Sequence, residues 1–193
     1  VLATVAINEA KGMFEITDLG EIKIETSQYI KALEDTRLRI LSGLISWYSG
    51  RFYRPRFIQL DNLQKLIEKK NNIRGVSLGG IIFKQSGGFI SINRELSVIK
   101  RREAIKCKKI LWDNRWNIKF EEVSKQNFEV VPLGSLNYKK KELFDLESSA
   151  KGILDTLPAI LKDNNLVFTP FSKLAYDIEV ELLFGDKHLY KNF

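Results

Sequence analysis

The hydrophobic pattern changes period more than once along this chain. Between residues 13 and 25, apolar side chains alternate with polar ones around Asp18-Leu19-Gly20, with Phe14 and Ile16 before and Ile22 and Ile24 after. Side chains two apart share one face of a strand, so this stretch predicts a hairpin. From Ser27 to Trp47 the residues Ile30, Leu33, Leu38, Leu41, Leu44 and Ile45 recur mostly at three- and four-residue steps, followed by Tyr48. That spacing lines one face of a long helix. Ser27 suits its N-cap and Ser49-Gly50 its stop. Pro55 starts a second helix, at a position where its missing N–H costs nothing. Leu60, Leu63, Leu66 and Ile67 make the apolar stripe of that helix, and Lys69-Lys70 suit its C-terminal end, where cations oppose the helix dipole. The short connection predicts two antiparallel neighbours and gathers Arg51, Arg54 and Arg56 on one loop.

From Val76 the period falls to two. Val76–Lys84 and Phe89–Glu95 flank Gln85-Ser86-Gly87-Gly88, the signature of a hairpin with a glycine turn. Lys108–Trp112 and Trp116–Phe120 flank Asp113-Asn114-Arg115, and Phe128–Leu133 reads as a further strand. Lys139–Leu154 predicts a short helix with Leu143, Phe144, Leu146 and Ala150 inward. Leu157–Ile160 and Leu166–Thr169 bracket another turn at Asp163-Asn164-Asn165, and the last fifteen residues show only weak pattern. The expected class is α+β. A mainly helical part, residues 1–71, holds the long helix and its antiparallel partner. A mainly antiparallel β part with a short helix occupies residues 72–193.

Charge sharpens this picture. The chain carries a net charge of +7, yet residues 51–119 alone hold 17 Lys/Arg against 5 Asp/Glu, so both flanks are mildly acidic. A local positive field of this size points to a polyanion partner. The candidate nucleic-acid contacts in it are Arg51, Tyr53, Arg54, Arg56, Lys69, Lys70, Arg74, Arg94, Lys100, Arg101, Arg102, Lys106, Lys108, Lys109 and Arg115. Lysine and arginine neutralise phosphates and release counterions, and Tyr53 would stack on an unpaired base. Trp112 and Trp116 flank a tight turn, where cross-strand core packing outweighs base stacking. The competing interpretation is a structural or protein-interaction module whose basic face is incidental.

Other chemistry is scarce. His188 is the only histidine and Cys107 the only cysteine, so a Cys/His zinc site lacks raw material. A Ser-His-Asp arrangement would have to use His188, five residues from the end. Cys107, between lysines and without a companion base, is expected as a half-buried strand residue. Ser86-Gly87-Gly88-Phe89-Ile90-Ser91 is close to the phosphate loop Ser-Gly-Gly-x-Asp-Ser of PP-loop ATPases, but Ile90 replaces the aspartate. The residues after Gly88 alternate like a strand, so the segment reads as a hairpin turn. Gly79-Gly80 reads as a bulge or a close backbone approach, and Arg94-Glu95 as a structural pair at a strand end. No apolar run reaches the ~20 residues of a membrane span. The chain opens on Val1, and we expect a piece of a longer cytoplasmic protein.

The order of motifs carries a resemblance. Ser49-Gly50-Arg51-Phe52-Tyr53-Arg54-Pro55-Arg56, then Leu60 and Leu63, Ser77-Leu78-Gly79-Gly80, Arg94-Glu95 and Leu111-Trp112-Asp113-Asn114-Arg115-Trp116 succeed one another. Val131-Pro132-Leu133-Gly134 and Leu157-Pro158-Ala159-Ile160 come after them. This series resembles the C-terminal half of tRNA(Ile)-lysidine synthetases of alphaproteobacterial type. Arg54 stands where that family often has Pro, and Trp116 where Phe is usual. The resemblance implies a full enzyme that activates the wobble cytidine of a minor tRNA(Ile) with ATP and magnesium. It then attaches lysine, changing the codon read from AUG to AUA. It further implies that catalysis belongs to an N-terminal PP-loop domain outside this sequence. On that footing this piece has no catalytic residue, metal or cofactor of its own, is inactive alone, and holds tRNA.

Overall fold

A computed structural model describes residues 12–50, 55–69, 73–121, 127–139, 143–144, 151–174 and 176–183. It divides into two compact units, one holding the described residues up to Glu95 and the other Leu96–Leu183.

The first unit packs helices on one face of an antiparallel sheet. Its strands are β1 (Phe14–Ile16), β2 (Ile22–Glu25), β3 (Val76–Leu78), β4 (Ile81–Ser86) and β5 (Phe89–Arg94), in the spatial order β1-β2-β5-β4-β3. Register aligns Ile22 with Ile92 and Phe83, and Ile24 with Ile90 and Gln85. These rows lie on the buried face, together with Ile81. The helices are α1 (Thr26–Lys31), α2 (Glu34–Ser49) and α3 (Phe57–Glu68). They add Tyr29, Ile40, Leu41, Leu44, Ile45, Tyr48, Leu60, Leu63 and Ile67 to the same core. An ion pair between Arg37 Nη2 and Glu68 Oε1, 2.7 Å, joins the start of α2 to the end of α3, as antiparallel helices require.

The single long helix expected from Ser27 is two helices. Ala32 and Leu33 are extended, with ψ of 155° and 147°. The break leaves carbonyls at the end of α1, and the Arg37 side chain donates to that of Ile30 at 2.8 Å. Glu34 and Asp35 occupy the first turn of α2, where acids favour a new helix start. The N-cap of α1 is Glu25 rather than Ser27, and α2 ends on left-handed Gly50 as expected. Leu66, assigned to the α3 stripe, is 39% exposed.

Gly79-Gly80 is a tight turn between β3 and β4, so the strand expected over Val76–Lys84 is two antiparallel strands. The close approach expected at Gly79 is there too: a Cβ on it would lie 2.6 Å from Ile45 Cγ2. Gly87-Gly88 closes the β4–β5 hairpin, both with positive φ. The sheet hydrogen-bonds β5 to β2 across the intervening helices, which is why the unit boundary falls at Glu95/Leu96. The change of hydrophobic period near residue 72 is thus a different boundary from the division into compact units.

The second unit contains two antiparallel sheets. One is built from β6 (Glu103–Ala104), β9 (Phe128–Pro132), β10 (Pro158–Lys162) and β11 (Asn165–Phe168), in the spatial order β11-β10-β9-β6. The other is built from β7 (Lys109–Trp112), β8 (Trp116–Phe120) and β12 (Ile178–Leu182), in the order β12-β8-β7. Strand β12 lies almost wholly within the stretch of weak pattern, although Ile178, Val180 and Leu182 alternate. Of the helix expected over Lys139–Leu154, one turn at Lys151–Leu154 is described, and Leu143 and Phe144 are buried. Leu146 and Ala150 lie outside the described residues. Trp112 and Trp116 pair across β7 and β8 and are fully buried, so they are core, as their position at the turn suggests. The two sheets meet at Phe120 and Phe128, whose ring centroids are 5.3 Å apart. The class is α+β.

Candidate nucleic-acid interface

Among the described residues, the densest run of exposed cations lies at residues 100–109 of the second unit, from just before β6 to the start of β7. Residues 100–109 hold Lys100, Arg101, Arg102, Lys106, Lys108 and Lys109 against a single acid, Glu103. All six cations are exposed. Backbone bonds fix the path of this segment. Ile105 N–H donates to Phe128 O at 2.9 Å, and Phe120 N–H donates to Lys108 O at 2.9 Å. Ile105 is itself buried. The segment therefore passes from the edge strand of one sheet to the edge strand of the other. Its apolar residue points inward and its cations remain in water, the arrangement expected when charges are too costly to bury unpaired.

These cations differ in how committed they are. Lys100 pairs with Glu103 at 3.3 Å. Arg102 binds Glu129 at 2.9 Å and the Asn164 side chain at 3.1 Å. Arg101, Lys106, Lys108 and Lys109 have no acidic partner among the described residues. Four cations so close together repel one another, and an approaching row of phosphates relieves that repulsion.

Two sequence candidates belong to the interior. Arg115 is fully buried; its Nε donates to Asp113 Oδ2 at 2.8 Å and its Nη2 to Thr156 O at 3.1 Å. Arg94 is 5% exposed and donates to the carbonyl of Gly80 at 3.2 Å, tying the end of β5 to the β3–β4 turn. Neither is a surface cation, and both owe their partners to the fold. Charge and neighbours in sequence do not distinguish them from Arg101 or Lys108.

In the first unit the described candidates are dispersed. Arg56 is exposed at the N-cap of α3, and Lys69 is exposed at its other end. A rise of 1.5 Å per residue sets them about 20 Å apart. Arg74 is exposed just before β3. The first turn of α3 holds no acid, so Arg56 adds charge to an already positive helix end. Arg51, Tyr53, Arg54 and Lys70 lie outside the described residues. One cation passed over by the sequence candidates, Lys84, is exposed on the outer face of the sheet, in register with Ser91 and, beyond it, Lys23. Its signal was the alternation of β4.

Cys107 is exposed at a bend between the strands, not half-buried within one, and its Sγ lies 3.1 Å from Lys109 O. No group of three or more metal-ligating side chains occurs among the described residues. No described helix is long and apolar enough to cross a membrane.

No protein-family model matches the chain. It is 28% identical over 155 residues to the tRNA(Ile)-lysidine synthase of Wolbachia sp. subsp. Brugia malayi, and 28% identical over 165 residues to that of Rickettsia felis. The chain is a relative of the tRNA(Ile)-lysidine synthases. The matches take in 79% and 80% of it but only 36% and 37% of those relatives, so it spans about a third of a synthase. Both synthases come from alphaproteobacteria, the type that the motif series resembles. The cations from Lys100 to Lys109 thus sit on a chain related to enzymes named for a tRNA.

Proposed function

We propose that this chain is a tRNA-holding portion of a tRNA-modifying ligase. The ligase converts the wobble cytidine of a minor tRNA(Ile) to lysidine in the cytoplasm. ATP, magnesium and lysine belong on this reading to a PP-loop domain of the parent protein, and the portion alone does not adenylate. The observation that carries the proposal is the exposed, under-neutralised run of cations at 100–109, on a relative of enzymes named for their action on a tRNA.

Titrating the chain with tRNA across salt concentration tests it. Each phosphate neutralised contributes about −0.7 to −0.9 to the slope of log K against log salt, so four cations account for about −3. Changing Arg101, Lys106, Lys108 and Lys109 together to glutamine should flatten the slope by that amount. Affinity that ignores both salt and this change would end the proposal and favour a module that docks protein.

A further inference from the structure

We propose that Phe171 is a stacking platform for an unpaired base of the bound RNA. This rests on the tRNA-holding function above and adds an uncharged contact to the phosphate contacts of the same unit.

Phe171 has a φ of 61°. That left-handed region is hard on any residue with a Cβ and makes a bulky one an outlier. The backbone there is a tight turn, in which Ser172 N–H donates to Thr169 O at 3.3 Å. Pro170 is second in the turn and Phe171 third, where a turn with positive φ ordinarily takes glycine or asparagine. Burial does not offset the strain, because Phe171 is 55% exposed. Strain kept at an aromatic ring that the core does not use indicates a role outside the fold.

The surroundings describe what the ring meets. Thr169 and Pro170 are buried, Ser172 Oγ donates to Thr169 O at 2.8 Å, and Lys173 N–H donates to Leu143 O at 3.0 Å. The turn thus holds the ring in place before a ligand arrives, which lowers the ordering cost of binding. Ser172 and exposed Lys173 follow the ring. One flat ring beside a cation suits a base and its phosphate, whereas a protein partner needs a broader apolar surface.

Phe171 follows strand β11 closely, and register sets Phe168, Ile160, Val130 and Glu103 in one row. Three strand spacings, about 14 Å, therefore separate that edge of the sheet from the edge that carries the basic run, so a single RNA can touch both. Tyr176 is exposed as well. Its hydroxyl accepts from Lys162 Nζ at 3.3 Å and exposed Asp177 stands next to it, so the platform is assigned to Phe171.

The test titrates octauridylate, a single strand without base pairs, into the chain and its Phe171→Gly and Phe171→Trp variants across salt concentration. Glycine fits the left-handed position, so Phe171→Gly should stay folded. Loss of the stacking partner should weaken its binding of octauridylate about 5- to 150-fold. The salt slope should not change, because no cation is removed. Phe171→Trp should bind as the unaltered chain does. Equal binding by Phe171→Gly and the unaltered chain would overturn the platform alone, and so would an unaltered chain that bound tRNA but not octauridylate. An unaltered chain that bound neither RNA at low salt would overturn the tRNA-holding function and the platform with it.

Discussion

Arg115 and Asp113 form an ion pair of 2.8 Å with both side chains almost wholly buried. The pair sits inside the turn between β7 and β8, where Asp113 and Asn114 have φ of 49° and 55°. Such left-handed positions tolerate Asp and Asn better than most residues. Breaking a buried pair from one side strands a charge in the interior, at a cost of about 3–5 kcal/mol. R115M should therefore lower the unfolding free energy of the second unit by that amount in denaturant titration. Adding D113N should recover part of the loss. At temperatures where R115M stays folded, its tRNA affinity should be unchanged, because the guanidinium never reaches the surface.

Gly79 and Gly87 share a left-handed backbone but not a surrounding. Alanine at Gly87 meets open space, so only the backbone conformation opposes it, at about 1 kcal/mol. Alanine at Gly79 adds a clash with Ile45, 2.6 Å away, and overpacking brings a further 1–3 kcal/mol or so. Thermal unfolding should rank G79A well below G87A. Equal midpoints would show that α2 does not press on the β3–β4 turn.

Burial holds the Tyr29 phenol far above its ordinary value of 10.0, the field of Arg37 only partly opposing this. A folded pKa raised above the unfolded one gives stability that is complete below the unfolded value and is lost as pH rises through and beyond it. The first unit should therefore weaken above about pH 10, where the phenol ionises only on unfolding. Y29F should lose less stability than the unaltered chain between pH 9 and pH 11, measured by denaturant midpoints.

The basic segment should be uneven in its effect. Glutamine at Lys106, Lys108, Lys109 or Arg101 should each reduce the salt slope of tRNA binding by about 0.7 to 0.9. Lys100→Gln and Arg102→Gln should reduce it less, since Glu103 and Glu129 already share those charges. A uniform loss across all six would mean that tRNA displaces both carboxylates.

Much of the fold was legible because local patterning and burial agree. The alternation around Ser86–Phe89 and the stop at Gly50 report constraints within a few residues, and the structure shows both. The break at Ala32-Leu33 was not legible. Leu33 continues the apolar spacing yet is 66% exposed, because packing two helices on one sheet outweighs local preference. Strand β12 is hard to read for a related reason: its alternation is short, and pairing with β8 supplies what its own sequence does not.

What the amino-acid sequence determined by itself was the kind of elements, the order of the motifs and the place of the positive charge. Periodicity and composition are local or additive properties, so they survive without coordinates. Only the tertiary structure decided which cations face water. Arg94 and Arg115 turn inward because a carbonyl or a carboxylate waits for each, Gly80 in one case and Asp113 in the other. Arg101, Lys106, Lys108 and Lys109 remain outside because the stretch from Lys100 to the start of β7 offers them no such partner among the described residues. Burying a charge requires compensation from residues that only folding brings near, and a count of charges along a chain carries no trace of it.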